Sequence, residues 1–148
     1  MDKDSFISYH FPWLSAATLR YTEALLLKEV NLFPPLLDLG CGDGSFCWFA
    51  FKRKFDYGLD IKLAPNSPYY AKTYNNVLES RMQTIPLSDK SVNTVVSNCV
   101  VEHVDGITVA LNEINRVLLK EGVFVLTVPN KKSKTMSFMY SFFFDKAL

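Results

Sequence analysis

The residues best placed for chemistry form one short turn after an apolar run at positions 36–39. Asp38 lies in that run, and Gly40, Gly42 and Gly44 follow at alternate positions. Glycine allows a tight turn and lets a ligand approach the backbone where a side chain would block it. The N–H groups at the start of a following helix would then face the ligand. The turn therefore predicts a site for a small nucleotide-like molecule.

Two classes of nucleotide-like ligand compete for this turn. A dinucleotide site normally has the spacing G-x-G-x-x-G, whereas here the third glycine is Gly44 and a serine follows it. Asp38 can reach a cationic or ammonium group held over the turn, or it can instead cap the N–H groups of the next helix. Asp60, about 20 residues beyond Gly40, can accept the two hydroxyls of a ribose in either class. The glycine spacing argues against a dinucleotide.

Alternating strands and helices must position the turn. Apolar and β-branched runs predict strands at 36–39, 55–61, 77–82, 92–98 and 122–128. Helical spacing of apolar residues predicts helices at about 15–30, 45–54 and 107–118, with a further short helix after Ser67-Pro68. This alternation implies an α/β doubly wound domain, in which a mostly parallel sheet carries helices on both faces.

Composition narrows the partners that the chain is expected to have. Sixteen Lys and Arg residues face 15 Asp and Glu, a net charge of +1 that gives no support for a nucleic-acid partner. Cys41, Cys47 and Cys99 form no CxxC pair, and the two histidines are far apart, so neither a disulfide framework nor a metal site is predicted. The polar N-terminus is not followed by an apolar signal segment, which favours a cytoplasmic protein.

Motifs further along the chain distinguish between the two classes of ligand. The pattern from Asp38 to Gly44 resembles the first motif of class I S-adenosylmethionine-dependent methyltransferases, D/E-x-G-x-G-x-G. Residues 81–98 are similar to that family's D-A-x-x-L-P-F-x-D-x-S-F-D-x-V run, 101–104 resemble the L-E-H that follows, and 112–118 resemble the helix that ends R-V-L-K-P-G-G. The likeness is to a methyltransferase type 11-like domain and covers about residues 36–130. It implies a Rossmann-like methyltransferase fold with S-adenosylmethionine as the cofactor.

The resemblance also implies which residues bind the cofactor. They lie in the turn, at the ends of the second and fourth strands, and after the third: Asp38, Gly40, Cys41, Gly42, Gly44, Asp60, Ile61, Met82 and Asn98. Arg81 stands where the family has the acid that accepts the adenine amino group. Because a guanidinium accepts no hydrogen bond, backbone atoms near Met82 would have to recognise adenine. No catalytic residue is identified, since His103 beside Glu102 is either a general base or a brace for the helix start.

The chain divides into three predicted parts. Residues 1–33 form a helical leader, 34–130 the S-adenosylmethionine-binding methyltransferase domain, and 131–148 an apolar tail. About 19 residues follow Pro129, too few for the elements that complete the family's sheet, so the chain is expected to be truncated and to lack the last antiparallel strands. The tail is far shorter than the ~20 residues of a membrane span. It either packs on the sheet as a helix, begins the truncated region, or contacts a partner or a second copy.

The function expected from these features is S-adenosylmethionine-dependent methyl transfer to an unidentified acceptor, taken to be a small molecule. The cofactor carries the difficult chemistry, so the protein mainly has to orient the acceptor and exclude water. Two other interpretations stay open. A non-catalytic or truncated cofactor-binding module would keep the turn without turnover, and Arg81 favours it. An NAD-dependent oxidoreductase would use the same ribose acceptor, Asp60, but the segment 86–98 argues against it.

Overall fold

A computed structural model describes residues 14–129 and 139–145 of the chain. Its strands are β1 Leu36–Leu39, β2 Phe55–Asp60, β3 Tyr74–Glu79, β4 Val92–Asn98, β5 Leu118–Pro129 and β6 Met139–Asp145. They form one sheet in the order β3-β2-β1-β4-β5-β6. The pairs β1–β2, β1–β4, β2–β3 and β4–β5 are all parallel. The predicted doubly wound α/β fold is therefore confirmed.

The helices of the described residues are α1 Leu14–Lys28, α2 Ser45–Phe51, α3 Tyr70–Thr73 and α4 Ile107–Val117, and two 3₁₀ turns follow β3 and β4 at Met82–Thr84 and Val101–His103. Helices cover both faces of the sheet. One core cluster contains Leu37 of β1 and Ile114 of α4, and the other contains Leu36 of β1 with Leu27 of α1 and Cys47 of α2. Successive residues of β1 thus point to opposite faces, as in any buried strand.

Two strands, β3 and β5, have boundaries that differ from the predicted ones by more than one residue. β3 begins at Tyr74 rather than at position 77 and ends at Glu79, while Met82 begins a 3₁₀ turn. β3 lies at the edge of the sheet and exposes Asn75 and Asn76, so its first half lacks the apolar run on which the prediction depended. β5 begins at position 118 rather than 122, directly after α4.

The buried face of α1 also differs from the prediction. Ala24, Leu26 and Leu27 predict an apolar stripe, with Glu23 among the polar residues. Ala24 and Leu27 are buried, but Leu26 is 61% exposed and Glu23 only 2%. A buried carboxylate is costly unless it is paired and hydrogen-bonded, so Glu23 needs partners from other elements.

The apolar tail contributes a strand to the sheet. β6 pairs antiparallel with β5, from Val123 opposite Asp145 to Pro129 opposite Met139. The expectation that the chain lacks the last antiparallel strands is therefore wrong for this strand, and residues 139–145 do not form a helix. A run rich in aromatic residues has a high β-propensity, and the free edge of β5 offers it backbone partners. The division of the chain at positions 33/34 and 130/131 stays a prediction.

Arg116 of α4 fixes the loop that leads into β4. Its guanidinium donates to the carbonyls of Ile85 and Leu87, both at 2.8 Å, and to Asp89 Oδ1 at 2.7 Å. Glu113, one turn earlier, accepts from Arg116 Nε at 2.7 Å and from the Ile85 N–H at 3.0 Å. The hydrogen bond from Arg116 lowers the pKa of the Glu113 carboxyl. Two of the family-like motifs therefore meet as one hydrogen-bonded unit.

Replacing Arg116 by alanine is expected to lower the free energy of unfolding by about 2 kcal/mol, because several charge-assisted hydrogen bonds are lost together. Urea denaturation followed by circular dichroism measures the loss. Lys120→Ala removes an exposed basic side chain and is the control, with an expected change below about 0.5 kcal/mol. A loss for Arg116→Ala no larger than that of the control would contradict a stabilising role for this cluster.

Candidate functional site

Two cavities open at the carboxyl end of the parallel strands, and Gly40 lines both of them. The first, of about 200 Å³, lies at the turn after β1 and is bounded by α1 and the end of β4 through Arg20 and Asn98. The second, of about 260 Å³, is bounded by the end of β2 and by the segments after β3 and β4. The sheet order reverses between β1 and β4, and open α/β sheets bind their ligands at such a point.

The structure brings most of the predicted cofactor-binding residues to these cavities. The first cavity is lined by Asp38, Gly40, Cys41, Gly42 and Asn98, and the second by Gly40, Asp60, Ile61 and Met82. Gly44 lines neither cavity. A Cβ at Gly44 would lie 2.9 Å from the Tyr74 ring, so this glycine lets the turn pack closely against the start of β3.

The turn between β1 and α2 has a backbone that requires glycine. Gly40, Gly42 and Gly44 have φ angles of +81°, +53° and +80°, in the region that other residues rarely adopt. The N–H groups of Gly40 and Cys41 both donate to the Leu59 carbonyl, at 2.7 and 3.0 Å. These bonds tie the turn to the end of β2 and so place the two cavities side by side.

Side chains from α3 support the turn. The Tyr70 hydroxyl donates to the Gly42 carbonyl at 2.6 Å, and the Thr73 hydroxyl donates to the Gly44 carbonyl at 3.2 Å. These carbonyls are therefore satisfied within the protein. The sequence predicted a short helix here but not its contacts with the turn, because they join residues 28 and 29 positions apart.

Asp38 is the buried acid of the first cavity and is only 6% exposed. The Tyr74 hydroxyl donates to its Oδ2 at 2.5 Å. Burial raises the pKa of Asp38 to about 6, although hydrogen bonds from Tyr74 and Cys47 lower it. The first N–H of α2, that of Ser45, donates to Asp43 Oδ1 at 3.0 Å. The N-cap residue is Gly44, and Asp43 rather than Asp38 accepts from the first N–H of this helix.

Asp60 links the second cavity to the glycine turn. Its Oδ2 accepts from the Gly42 N–H at 2.8 Å, and its Oδ1 accepts from the Lys62 N–H at 3.3 Å. A carboxylate has about four acceptor positions, so each oxygen can accept a further hydrogen bond. The hydrogen bond to Gly42 joins residues 18 positions apart, and no pattern in the sequence predicts it.

Residues that the sequence did not predict as part of the site lie at the wall of the first cavity. Arg20 of α1 lines the cavity, and its Nη1 donates to Glu23 Oε2 at 3.0 Å. In the amide orientation that satisfies all of its partners, Asn98 donates to Glu23 Oε1 at 2.6 Å and accepts from Arg20 at 2.9 Å. Thr127 and Cys99 also donate to Glu23 Oε1, each at 3.3 Å. This network joins α1 to the ends of β4 and β5.

Glu23 is the centre of that network. Burial raises the pKa of its carboxyl, and the charge and hydrogen bond of Arg20 act in the opposite direction. Its contacts with Cys99 and Thr127 span 76 and 104 positions. No periodic pattern can reveal partners at that separation. The spacing of Arg20 and Glu23 by one helical turn is the one local signal that was available.

The thiols and His103 lack the features of a catalytic group. Burial raises the pKa of Cys41 and of Cys47, so both thiols stay protonated at neutral pH. His103 lines the second cavity, but its side chain is 78% exposed and its Nε2 lies 3.9 Å from Glu102 Oε1. That distance is too long for a hydrogen bond that would orient a general base.

Two kinds of feature are absent from residues 14–129 and 139–145. No three His, Cys, Asp or Glu side chains in this part of the chain lie together in a way that would hold a metal ion. Over the same residues, no helix combines the length and the apolar character that a membrane span needs.

Comparison with known proteins identifies the domain. A family model described as a methyltransferase domain matches residues 37–126. Two uncharacterised proteins of Methanocaldococcus jannaschii are similar in sequence. One is 30% identical over 106 residues, which cover 72% of this chain and 41% of the relative; the other is 29% identical over 133 residues, which cover 83% and 57%. The chain spans about half the length of these curated relatives.

Solved structures share the fold. A SAM-dependent methyltransferase from Aquifex aeolicus superposes with a TM-score of 0.64 at 22% identity, covering 91% of this chain and 77% of that one. Another from Thermotoga maritima has a TM-score of 0.64 at 21% identity, covering 88% and 62%. These likenesses confirm the Rossmann-like methyltransferase fold, and the domain match covers more than half of the chain. The chain therefore belongs to the methyltransferase-domain family of class I S-adenosylmethionine-dependent methyltransferases, whose cofactor is S-adenosylmethionine.

Proposed function

We propose that this chain binds S-adenosylmethionine across Gly40 and transfers its methyl group to a small-molecule acceptor. The observation that carries the proposal is the pair of cavities that meet at Gly40. The cofactor joins an amino-acid group and a nucleoside through one sulfur, so it needs two adjoining compartments of different chemistry.

The first cavity fits the amino-acid end of the cofactor. It is lined by the cation of Arg20 and by the buried acid Asp38, whose opposite charges suit a carboxylate and an ammonium group. A Cβ added at Gly42 would meet nothing within 4 Å, so the turn leaves open space at this point. Glu23 and Asn98 hold the Arg20 guanidinium at the cavity wall.

The second cavity fits the nucleoside. Asp60 has acceptor positions left for the ribose hydroxyls after its bonds to two N–H groups. Ile61 is 59% exposed at the cavity and Met82 lies in its wall, so both offer apolar surface to the base. The donor and acceptor chemistry of both compartments therefore suits the cofactor.

The chain's contribution to methyl transfer is orientation. When bound, S-adenosylmethionine supplies a methyl carbon that its sulfonium has already activated. Arg20 and Glu23 of α1 and Asn98 at the end of β4 fix the wall of the first cavity on the side of α1. Proximity and exclusion of solvent can account for a large part of the rate in such a site. We assign no catalytic base, because the imidazole of His103 is exposed.

We extend the proposal to the organisation of the chain. Residues 34–130 are the cofactor-binding unit, α1 within 1–33 closes its first cavity, and the tail 131–148 is where a partner or second copy would contact it. Three free cysteines, Cys41, Cys47 and Cys99, suit a reducing compartment and support a cytoplasmic location.

Isothermal titration calorimetry with S-adenosylhomocysteine tests the site. The wild type is expected to bind, and Asp60→Ala is expected to bind about 10- to 100-fold more weakly, because two hydrogen bonds to a charged acceptor are lost. Glu121→Ala removes an exposed acid of β5 and should bind like the wild type. Binding of NAD without binding of S-adenosylhomocysteine would support the oxidoreductase alternative and contradict the proposal.

Turnover needs its own measurement. Mass spectrometry detects S-adenosylhomocysteine released from S-adenosylmethionine in the presence of small amine, hydroxyl or thiol acceptors. Binding without turnover on any acceptor would favour the non-catalytic module, while cofactor-dependent methylation of one of them would establish the enzyme.

A further inference from the structure

We infer that Asp105 accepts a hydrogen bond from the exocyclic amino group of the cofactor's adenine and makes the second cavity specific for that base. The inference rests on the proposed function. It concerns the part of the second cavity that would face the adenine base, beyond the ribose acceptor Asp60.

The second cavity reaches two loop segments beyond Asp60. Residues 80–83 follow β3, and residues 103–105 follow β4. Gln83 Nε2 donates to the Asp105 carbonyl at 2.5 Å and ties the two segments together. The main chain of Asp105 is thus held at the cavity, while its carboxylate has no hydrogen bond or ion pair with the residues that the structure describes.

Few side chains of this cavity can accept from an amino group. Arg81 cannot, because a guanidinium has only donors. Asp60 already accepts from the N–H groups of Gly42 and Lys62, and it is the acceptor for the ribose. Asp105 is the other acidic residue that lines the cavity.

The chemistry of Gln83 and Arg81, two other polar residues of the cavity, fits this assignment. The amide oxygen of Gln83 is neutral and so a weaker acceptor than a carboxylate. Arg81 can donate to a ring nitrogen or stack its planar guanidinium on the base. A donor and an acceptor side by side complement adenine, which presents a ring nitrogen next to its amino group. Hypoxanthine has a carbonyl oxygen in place of the amino group, and that oxygen would face the Asp105 carboxylate.

The test compares S-adenosylhomocysteine with S-inosylhomocysteine by calorimetry. The wild type is expected to bind the adenine compound at least about tenfold more tightly, since a site built to bond an amino group rejects an analogue without it. Asp105→Ala should lose about tenfold for the adenine compound and keep its affinity for the hypoxanthine compound. Glu121→Ala is the matched control and should retain the preference of the wild type.

Four outcomes separate the possibilities. The assignment would be overturned if Asp105→Ala bound S-adenosylhomocysteine like the wild type. It would also be overturned if the variant lost the same factor in affinity for both compounds. A wild type that binds both compounds equally well would overturn it too, while leaving the proposed function intact. A wild type that binds neither compound would sink the proposed function and the inference with it. Asp105 is exposed, so circular dichroism melting should show that the variant folds normally.

Discussion

Gly40→Ala is expected to lower the free energy of unfolding by about 3 kcal/mol and to abolish cofactor binding, because left-handed backbone strain and a steric clash add at one position. The φ of Gly40 is +81°, and a Cβ there would lie 2.2 Å from Val100 Cγ2 and 2.8 Å from Cγ1. Relief of that contact would move the turn or the segment after β4. The turn borders both cavities and the segment after β4 borders the second, so binding should fail together with stability.

Two variants show whether the steric clash or the backbone angle causes the loss of stability in Gly40→Ala. Gly42→Ala has the same kind of strain, with φ of +53° and no neighbour within 4 Å, and should cost only about 1 kcal/mol. Adding Val100→Ala to Gly40→Ala removes both methyl groups nearest the new Cβ and should recover part of the stability. Urea denaturation measures all of these variants. Equal losses for Gly40→Ala and Gly42→Ala would show that the contact with Val100 does not matter.

The sequence predicted those parts of the site that depend on local spacing. Gly40, Gly42 and Gly44 occupy a turn whose φ angles need them, and Asp60 ends β2 at the same edge of the sheet. Strands β1 and β4 were found because strands buried on both faces are rich in apolar and β-branched residues.

The parts that the sequence did not predict depend on distant contacts. Glu23 looks like a surface residue of α1, but it is buried because residues of β4 and β5 donate to it. Tyr74 reaches Asp38 across 36 positions, and its ring packs where Gly58 has no side chain. The strand β6 was missed because counting the residues after β5 does not show that they pair with its edge.

The charge of Asp38 is costly to the folded chain even though distant residues donate hydrogen bonds to it. Asp38 lies under the turn with Tyr74 and Cys47 as hydrogen-bond donors, yet burial still raises its pKa from the ordinary 3.8 to about 6. The ionised carboxylate is therefore less stable in the folded protein than in the unfolded chain. Groups with perturbed pKa values cluster at functional sites, which agrees with the ligand-binding role proposed for Asp38.

Asp38→Asn is expected to stabilise the unliganded protein at pH 7 by up to about 3 kcal/mol, which is the free energy that corresponds to the raised pKa. The unfolded chain loses the Asp38 proton near pH 4 and the folded chain near pH 6. Between these values the folded state binds the proton more tightly, so wild-type stability from this group falls as the pH rises from about 4 to 6. Thermal melts across this range measure the effect, and the variant should lack this component of the pH dependence.

The same substitution should weaken binding of S-adenosylmethionine about 100-fold at pH 7, because the cationic ligand loses a buried carboxylate partner. Wild-type affinity should fall as the pH drops below about 6, where Asp38 becomes protonated, and Asp38→Asn should remove that part of the dependence. Tyr74→Phe removes a donor that lowers the pKa of Asp38, so it should move the midpoint above 6. A slope left in the Asn variant comes from other titrating groups, among them Glu23, whose pKa is also raised by burial. Calorimetry from pH 5 to 8 decides the matter, since equal affinity of wild type and variant throughout would show that Asp38 does not face the cofactor's positive charge.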